Sequence, residues 1–522
     1  MKTRLLFAAF LIFRGVAFAM FPFAEATIDD LQARMQVGKL TAHELTAAYL
    51  ERIAAIDQSG PSLHAVIELN PDALAIADVL DAERKAGHVR GPLHGIPILI
   101  KDNIATADKM QTTAGSLALV GARPLRDAAI VERLRAAGVV ILGKTNLSEW
   151  ANIRSTTSTS GWSGRGGQTR NPYALERDPS GSSSGSAAAV SANLCVAAIG
   201  TETDGSIVSP SSVCGIVGLK PTVGLVSRTG IIPISASQDT AGPMARTVRD
   251  AAILLGAIAG TDSRDSATRE IPPAVKAGIS APPKIGSLKG ARLGVLRGPF
   301  GFHPRMGRVL DETIAALKAA GAEIVDLGEF PNLNQISDPE LEVLLYELKV
   351  GLNSYFADLA PGSSIKMLAD LIRFNEAHRS VELQFFGQEL FERAQAKGPL
   401  TDPAYLAARE LCLKLARTDG IDALLARHKL DALVSLTAGP AWMIDPINGD
   451  AYTGGSSTPA AVAGYPSITV PASEVFGLPV GISFYAGAWS EPRLVSLAAD
   501  FEIHTKVRRE PPVSTHANSG IQ

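Results

Sequence analysis

The stretch Asp127–Leu142, DAAIVERLRAAGVVIL, reads as a helix, a stop and a strand. Asp127 to Ala137 has helical composition, Gly138 ends it, and Val139-Val140-Ile141-Leu142 is an apolar, β-branched run suited to a buried strand. The same phrase returns at Val309–Leu327, where Leu317-Lys318-Ala319-Ala320-Gly321 leads into Ile324-Val325. Such alternation predicts an α/β fold with a largely buried sheet. Upstream, Thr41-Ala42-His43-Glu44 forms a capping box before Leu45, Tyr49, Ile53 and Ile56 at helical spacing. A second helix is expected from Pro71 to Ala86, closed by Gly87. Ile96–Ile100 is a short buried strand that delivers the polar tip Lys101-Asp102-Asn103. Both halves carry the same phrase, so one continuous domain is expected rather than two split near residue 275.

Composition sets the outer limits. The 522 residues exceed a small binding module, and 49 basic against 52 acidic residues leave a net charge of −3. That balance excludes the global basic footprint of a nucleic-acid binder. Apolar residues make up 46% and charged ones 19%, as in a globular protein with a large core. With 48 glycines and 32 prolines the chain is rich in turns. Cys195, Cys214 and Cys412 cannot form a disulfide framework and sit among small or apolar neighbours, so buried inert thiols are expected. Lys2 and Arg4 before the apolar run Leu5–Phe13, with Ala17-Phe18-Ala19 after it, give residues 1–19 the layout of a signal peptide. Its removal would make the protein secreted or periplasmic; translation from Met20 would leave it cytoplasmic. No other stretch approaches the length of a membrane span. Residues 20–510 are then the catalytic domain and 511–522 a tail. Residues 262–290, with Pro272-Pro273 and Pro282-Pro283, suit an exposed excursion or linker, and 439–458 a loop.

Three segments carry chemistry. Ser180-Gly181-Ser182-Ser183-Ser184-Gly185-Ser186 precedes an Ala-rich helix candidate, Ala187–Ala198. It lacks the Gly-Lys-Ser/Thr ending of a phosphate loop. Gly181–Gly185 matches G-x-S-x-G, yet the polar, Pro-broken residues before it supply no strand for a nucleophile elbow. Second, the apolar run Val196–Ile199 feeds Gly200-Thr201-Glu202-Thr203-Asp204-Gly205-Ser206, a tight turn whose N–H groups can form an oxyanion hole. Third, burial of Lys101 at a strand end would disfavour its charge, and a neutral lysine can serve a serine as base.

Together these segments resemble the amidase signature family. The resemblance is carried by Gly95-Ile96-Pro97 with Lys101-Asp102, Gly143-Lys144-Thr145-Asn146 with Glu149, Gly181–Ala187, and Thr203-Asp204-Gly205-Ser206. Cys214-Gly215, Gly218–Thr222 and Asp239–Met244 extend it over residues 90–250, with further matches at Ala463–Pro466 and Gly477–Gly481. It implies a single α/β/α domain around a large mixed β-sheet. It also implies a triad of Ser206 as acyl-forming nucleophile, Ser182 as bridge behind a cis peptide bond, and Lys101 as base. The backbone N–H groups of Thr203, Asp204, Gly205 and Ser206 would hold the oxyanion, with no metal or organic cofactor. Lys144, Lys220 and Glu149 are read as structural.

Within the family the chain is most similar to the peptide amidase group, which releases ammonia from the C-terminal carboxamide of peptides. Asp204, where most of the family has glycine, supports that placement. Some relatives that bind a substrate carboxylate carry an arginine two or three residues after the nucleophile; here Val208 and Ser209 stand there, which favours a neutral amide, small or peptidic. The expected partner is that substrate, without nucleic acid. One rival is the glutamine-hydrolysing component of a tRNA-dependent amidotransferase; amidases of aryl or fatty amides are another. A serine–histidine esterase would draw on His303, His378, His428, His504 or His516.

Overall fold

Lys101 ends a strand whose every residue is buried, near one side of a wide mixed sheet. The computed structural model describes residues 21–298 and 304–514. The signal-peptide segment 1–19, His303, His516 and the tail beyond Ser514 lie outside the described residues. In chain order the sheet contains β1 (Val66–Leu69), β2 (Pro97–Lys101), β3 (Val140–Thr145), β4 (Ala197–Glu202), β5 (Val217–Lys220) and β6 (Thr240–Ala245). It continues with β7 (Arg292–Leu296), β8 (Glu323–Gly328), β9 (Ala432–Leu436), β10 (Ser467–Val475) and β11 (Leu478–Tyr485). These eleven strands lie side by side as β1-β3-β2-β4-β6-β5-β10-β11-β9-β7-β8.

β2 pairs in parallel with both β3 and β4, and β7 pairs in parallel with both β8 and β9. The remaining pairings are antiparallel. The two parallel groups are the two helix–Gly–strand phrases of the sequence. The long hairpin of β10 and β11 joins them, because β10 also pairs with β5 and β11 with β9. Its turn, Phe476-Gly477, has φ of 54° and 78°, as a two-residue hairpin turn of matching twist requires. The sheet is therefore unbroken, and the chain forms one α/β domain.

Local expectations hold where the signal is local. Thr41 and Glu44 form the capping box of the helix Ala42–Arg52. The 127–142 phrase gives a helix at Ala129–Ala136, Gly138 at φ 77°, and then β3. The Pro71–Ala86 helix is shorter, Ala73–Lys85. The Ala187–Ala198 helix is overturned: the helix spans Ser184–Ser191, and Ala197 and Ala198 belong to β4. Asn193 takes a left-handed φ of 57°, fixed by its side chain accepting from Glu25 N, and so ends the helix early. Residues 262–290 are not a free linker either. Pro273–Ser280 is a helix that buries Val275 and Ile279 in the core, and Asp265 pairs with Arg228. The three cysteines are free and buried, and burial pushes the thiols of Cys195 and Cys412 up to about 12. Among the described residues no helix is long and apolar enough to cross a membrane.

Glycine is needed where strands approach too closely for any side chain. A Cβ on Gly143 of β3 would lie 2.2 Å from the carbonyl oxygen of Glu68 on β1, a backbone atom that cannot turn away. We therefore expect Gly143→Ala to destabilise the fold by about 1–3 kcal/mol, as overpacking does. Urea unfolding checks this, and a loss under about 0.5 kcal/mol would show that β1 yields freely.

Candidate active site

Lys101 is fully buried, and its ammonium meets only neutral oxygens. Nζ lies 2.8 Å from Ser182 Oγ, 3.0 Å from Ser183 Oγ, 2.9 Å from Thr201 Oγ1 and 3.2 Å from Thr201 O. The sheet makes this meeting: β2 and β4 are parallel neighbours, so their carboxyl ends deliver Lys101 and Thr201 to the same edge. The serine loop reaches them from above. The Gly181–Ser182 peptide is cis, and Ser148 N donates to Ser182 O at 3.1 Å. Ser183 is the loop's anchor, since its hydroxyl donates to Thr201 O at 3.0 Å and accepts from Thr201 N at 3.2 Å. Asn103 Nδ2 donates to Thr201 Oγ1 at 2.9 Å, completing the ring of partners.

The density of small residues follows from this packing. A Cβ on Gly185 would stand 2.3 Å from Ala65 O and 2.5 Å from Asn146 O, so the helix Ser184–Ser191 can sit against backbone only as glycine there. All eight residues of that helix are buried.

Ser206 lies in the turn that follows β4. Its carbonyl accepts from Ser183 N at 3.1 Å, which ties the turn to the serine loop. Its hydroxyl makes no hydrogen bond among the described residues, so Lys101 and Ser182 are bonded to each other while Ser206 is brought alongside through the backbone. Gly205 has φ 78°, a conformation that favours glycine. Glu202 organises the turn from below: its Oε2 accepts from the N–H groups of Ile207 at 2.7 Å and Val208 at 3.0 Å. Those two donors open the short helix Val208–Val213. The N–H groups of Asp204, Gly205 and Ser206 donate to no group among the described residues and remain available to a ligand. Asp204 itself turns aside, with Oδ2 accepting from Thr458 Oγ1 at 2.6 Å.

Thr201, Ser183 and Glu202 were not singled out from sequence. Glu202 carried a readable signal, an acid placed between a buried strand and the first turn of a helix. The contacts of Thr201 and Ser183 depend on strand pairing, which spacing alone does not show.

The electrostatics favour an uncharged amine. Burial lowers Lys101 to about 7, opposed by the charges of Glu202 and Asp239. The other buried lysines have different partners. Lys144 Nζ donates to Thr112 Oγ1 at 2.9 Å and Ile104 O at 2.6 Å, and Lys220 to Pro221 O at 3.3 Å. Burial lowers each to about 8, opposed chiefly by Asp102 and Glu202 respectively. Glu149 is buried beside Arg154 at 3.2 Å and is pushed up to about 8 by burial. None of the three touches Ser182 or Ser206. His378, His428 and His504 make no contact with a site serine either. A cavity of about 290 Å³ opens beside Thr201 and Thr203 and is lined also by Asn103, Ile234, Asp239 and Glu347. A second, of about 470 Å³, is lined by Ser456 and by Thr458, the partner of Asp204.

A family model described as Amidase matches residues 44–495. The chain belongs to the amidase family. It is a hydrolase of amides. A protein of Arabidopsis thaliana described as "Probable amidase" is 42% identical over 500 residues, covering 94% of this chain and 92% of that protein. The crystal structure of native peptide amidase from Stenotrophomonas maltophilia superposes with a TM-score of 0.89 at 55% identity, covering 94% of this chain and 99% of that one. A glutamyl-tRNA(Gln) amidotransferase component of Symbiobacterium thermophilum is 37% identical over 502 residues, covering 92% of this chain and 96% of that protein.

Removing the Glu202 carboxylate would leave two buried donors unpaired at the base of the turn. We expect Glu202→Ala to cost about 2 kcal/mol of stability and to lower amide hydrolysis at least tenfold at a temperature where the variant is folded. Thermal unfolding and initial rates check both, and an active, unshifted variant would rule the role out.

Proposed function

We propose that this amidase hydrolyses neutral carboxamides, above all the C-terminal amide of peptides, through an acyl-enzyme on Ser206. The observation that carries the reading is the 2.8 Å contact of the fully buried Lys101 with Ser182, behind a cis peptide and beside the turn of Ser206. A neutral Lys101 keeps two N–H groups, enough for Ser183 and Thr201, and turns its lone pair to the Ser182 hydroxyl. Ser182 then gives its proton to Lys101 while taking the proton of Ser206. The Ser206 oxygen bonds to the amide carbon, and the oxyanion is held by the N–H groups of the 203–206 turn. Collapse breaks the C–N bond as the relay returns the proton to the departing nitrogen, releasing ammonia. Water then repeats the sequence on the ester and frees the acid.

The likeness to the Stenotrophomonas enzyme supports the peptide preference, and the absence of a cation at Val208 and Ser209, both buried at the start of their short helix, supports a neutral amide. The likeness to amidotransferase components supplies the rival, glutamine hydrolysis with partner proteins.

Ammonia release from amidated peptides, amino-acid amides, fatty amides and glutamine separates these readings. We expect turnover mainly of amidated peptides by the isolated chain, abolished in Ser206→Ala. Release mainly from glutamine, and only with added partner proteins, would overturn the peptide reading.

The lysine makes a second prediction, with opposite signs for activity and stability. A lysine whose folded value falls from 10.5 to about 7 is held at a cost on the order of 4 kcal/mol at pH 7, a cost that fades as pH rises toward 10.5. Lys101→Met should lose activity by at least a thousandfold and yet unfold at a higher temperature. In the parent enzyme kcat/KM should fall below an apparent value near 7. A flat profile down to pH 4, or an active Lys101→Met, would remove Lys101 from the role of base.

A further inference from the structure

The helix Ser337–Ala357 lies far along the chain from the catalytic segments, yet it grips the loop that supports the nucleophile turn. Glu347 Oε2 accepts from Ser235 Oγ at 2.5 Å, Ser237 N at 3.0 Å and Ser237 Oγ at 2.9 Å, while its Oε1 accepts from Tyr405 OH at 2.7 Å. Two turns earlier, Glu340 Oε1 accepts from Gln238 Nε2 at 2.8 Å. Residues 235–239 are thus held at two points by one helix. The loop passes that hold to Thr203. Gln238 Nε2 also donates to Thr203 O at 3.3 Å, and Asp239 Oδ1 accepts from Thr203 Oγ1 at 2.6 Å. Gln238 is almost wholly buried, so no water competes for these bonds.

The peptide unit between Thr203 and Asp204 gives the contact its meaning. Carbonyl and N–H of one trans peptide are coplanar and point in opposite directions. Holding Thr203 O toward Gln238 therefore aims Asp204 N–H away from it, and that N–H is among the free donors of the turn. Thr203 Oγ1, bonded to Asp239, fixes the same residue from its side chain.

We propose that Gln238 is a positioning residue for amide hydrolysis: its bridge from Glu340 to the Thr203 carbonyl aims the Asp204 N–H at the oxyanion. This rests on the oxyanion reading of the 203–206 turn. Gln238 meets neither substrate nor nucleophile. It acts by fixing a dipole that matters most when charge develops on the carbonyl oxygen. The helix Ser337–Ala357, with Glu347 lining the cavity beside Thr203, thereby sets the geometry of the turn.

Gln238→Leu keeps the side-chain volume and removes both bonds. We expect kcat on an amidated peptide to fall about 10- to 100-fold, with KM within about twofold. Glu340→Gln keeps a carbonyl acceptor for Gln238, so its kcat should stay within about threefold of the parent. Unfolding temperatures of all variants are measured alongside. If Gln238→Leu does not fold, Gln238→Asn, too short to reach both partners, should show the same split. A folded Gln238 variant with kcat within twofold, or one in which KM alone rises, overturns the proposal. Ser206→Ala is assayed in parallel: if it stays active, the nucleophile reading fails, whereas an inactive Ser206→Ala beside a fully active Gln238→Leu refutes only the bridge.

Discussion

An amine sealed in the sheet edge with no carboxylate in contact is the constraint on which this structure depends. Lys101 has four oxygen partners, and each is a hydroxyl or a peptide carbonyl. A buried cation in such company is poorly compensated, and the group responds by giving up its proton. Burial also lowers Lys144 and Lys220, but only to about 8, opposed chiefly by the charges of Asp102 and Glu202 respectively. The acids nearest Lys101 are occupied elsewhere. Glu202 caps the helix start at Ile207 and Val208, and Asp239 accepts from Thr203, Ile234 and Ser235. They reach the lysine through the field alone and only partly oppose the burial that lowers it to about 7.

The serines follow from the same constraint. A neutral amine needs hydroxyl partners that can both accept from it and donate to it, and they must be buried without cost to the backbone around them. Ser182 faces the amine at 2.8 Å, and Ser183 accepts from it while bonded to both the N–H and the carbonyl of Thr201. Glycines 181 and 185 meet the second need. A Cβ on Gly181 would lie 2.1 Å from Ser148 Oγ, and one on Gly185 would strike two carbonyls. The Gly/Ser density, which resembles a flexible linker in composition, is a device for close packing.

What could be read in the sequence was what depends on neighbours along the chain. The capping box at Thr41, the stop at Gly138 and the strand that presents Lys101 are each set within a few residues. The proposed trio was readable only through motif resemblance; the structure brings Lys101 to Ser182 and ties the turn of Ser206 to the serine loop. Contacts that cross the sheet were not readable. The helix expected through Ala198 fails because Ala197 and Ala198 are claimed by pairing with β2 and β6. Residues 262–290 looked like linker because their few apolar side chains are spaced out, yet Val275, Ile279 and Leu288 reach the core. Thr201 gains its role only when β4 lies beside β2.

The order of the parts along the chain separates chemistry from selection. Lys101, Ser182 and Ser206, the groups of the proposed chemistry, come from β2, the serine loop and the turn after β4, all within the first half. The surfaces over them come from later segments stitched on by specific bonds. Asp450 accepts from Ser160 N, Ser160 Oγ and Trp442 Nε1, while Asp178 N donates to Trp442 O and Ile444 N to Glu176 O. These bonds fix the 439–458 loop against the segments flanking the serine loop, and Thr458 ends it on Asp204. No bond of Lys101 passes through that loop, so a change there leaves the lysine's partners in place. A change at Thr203 has no such freedom, since its peptide unit belongs at once to the strand end, to the loop of Gln238 and to the turn that carries Ser206.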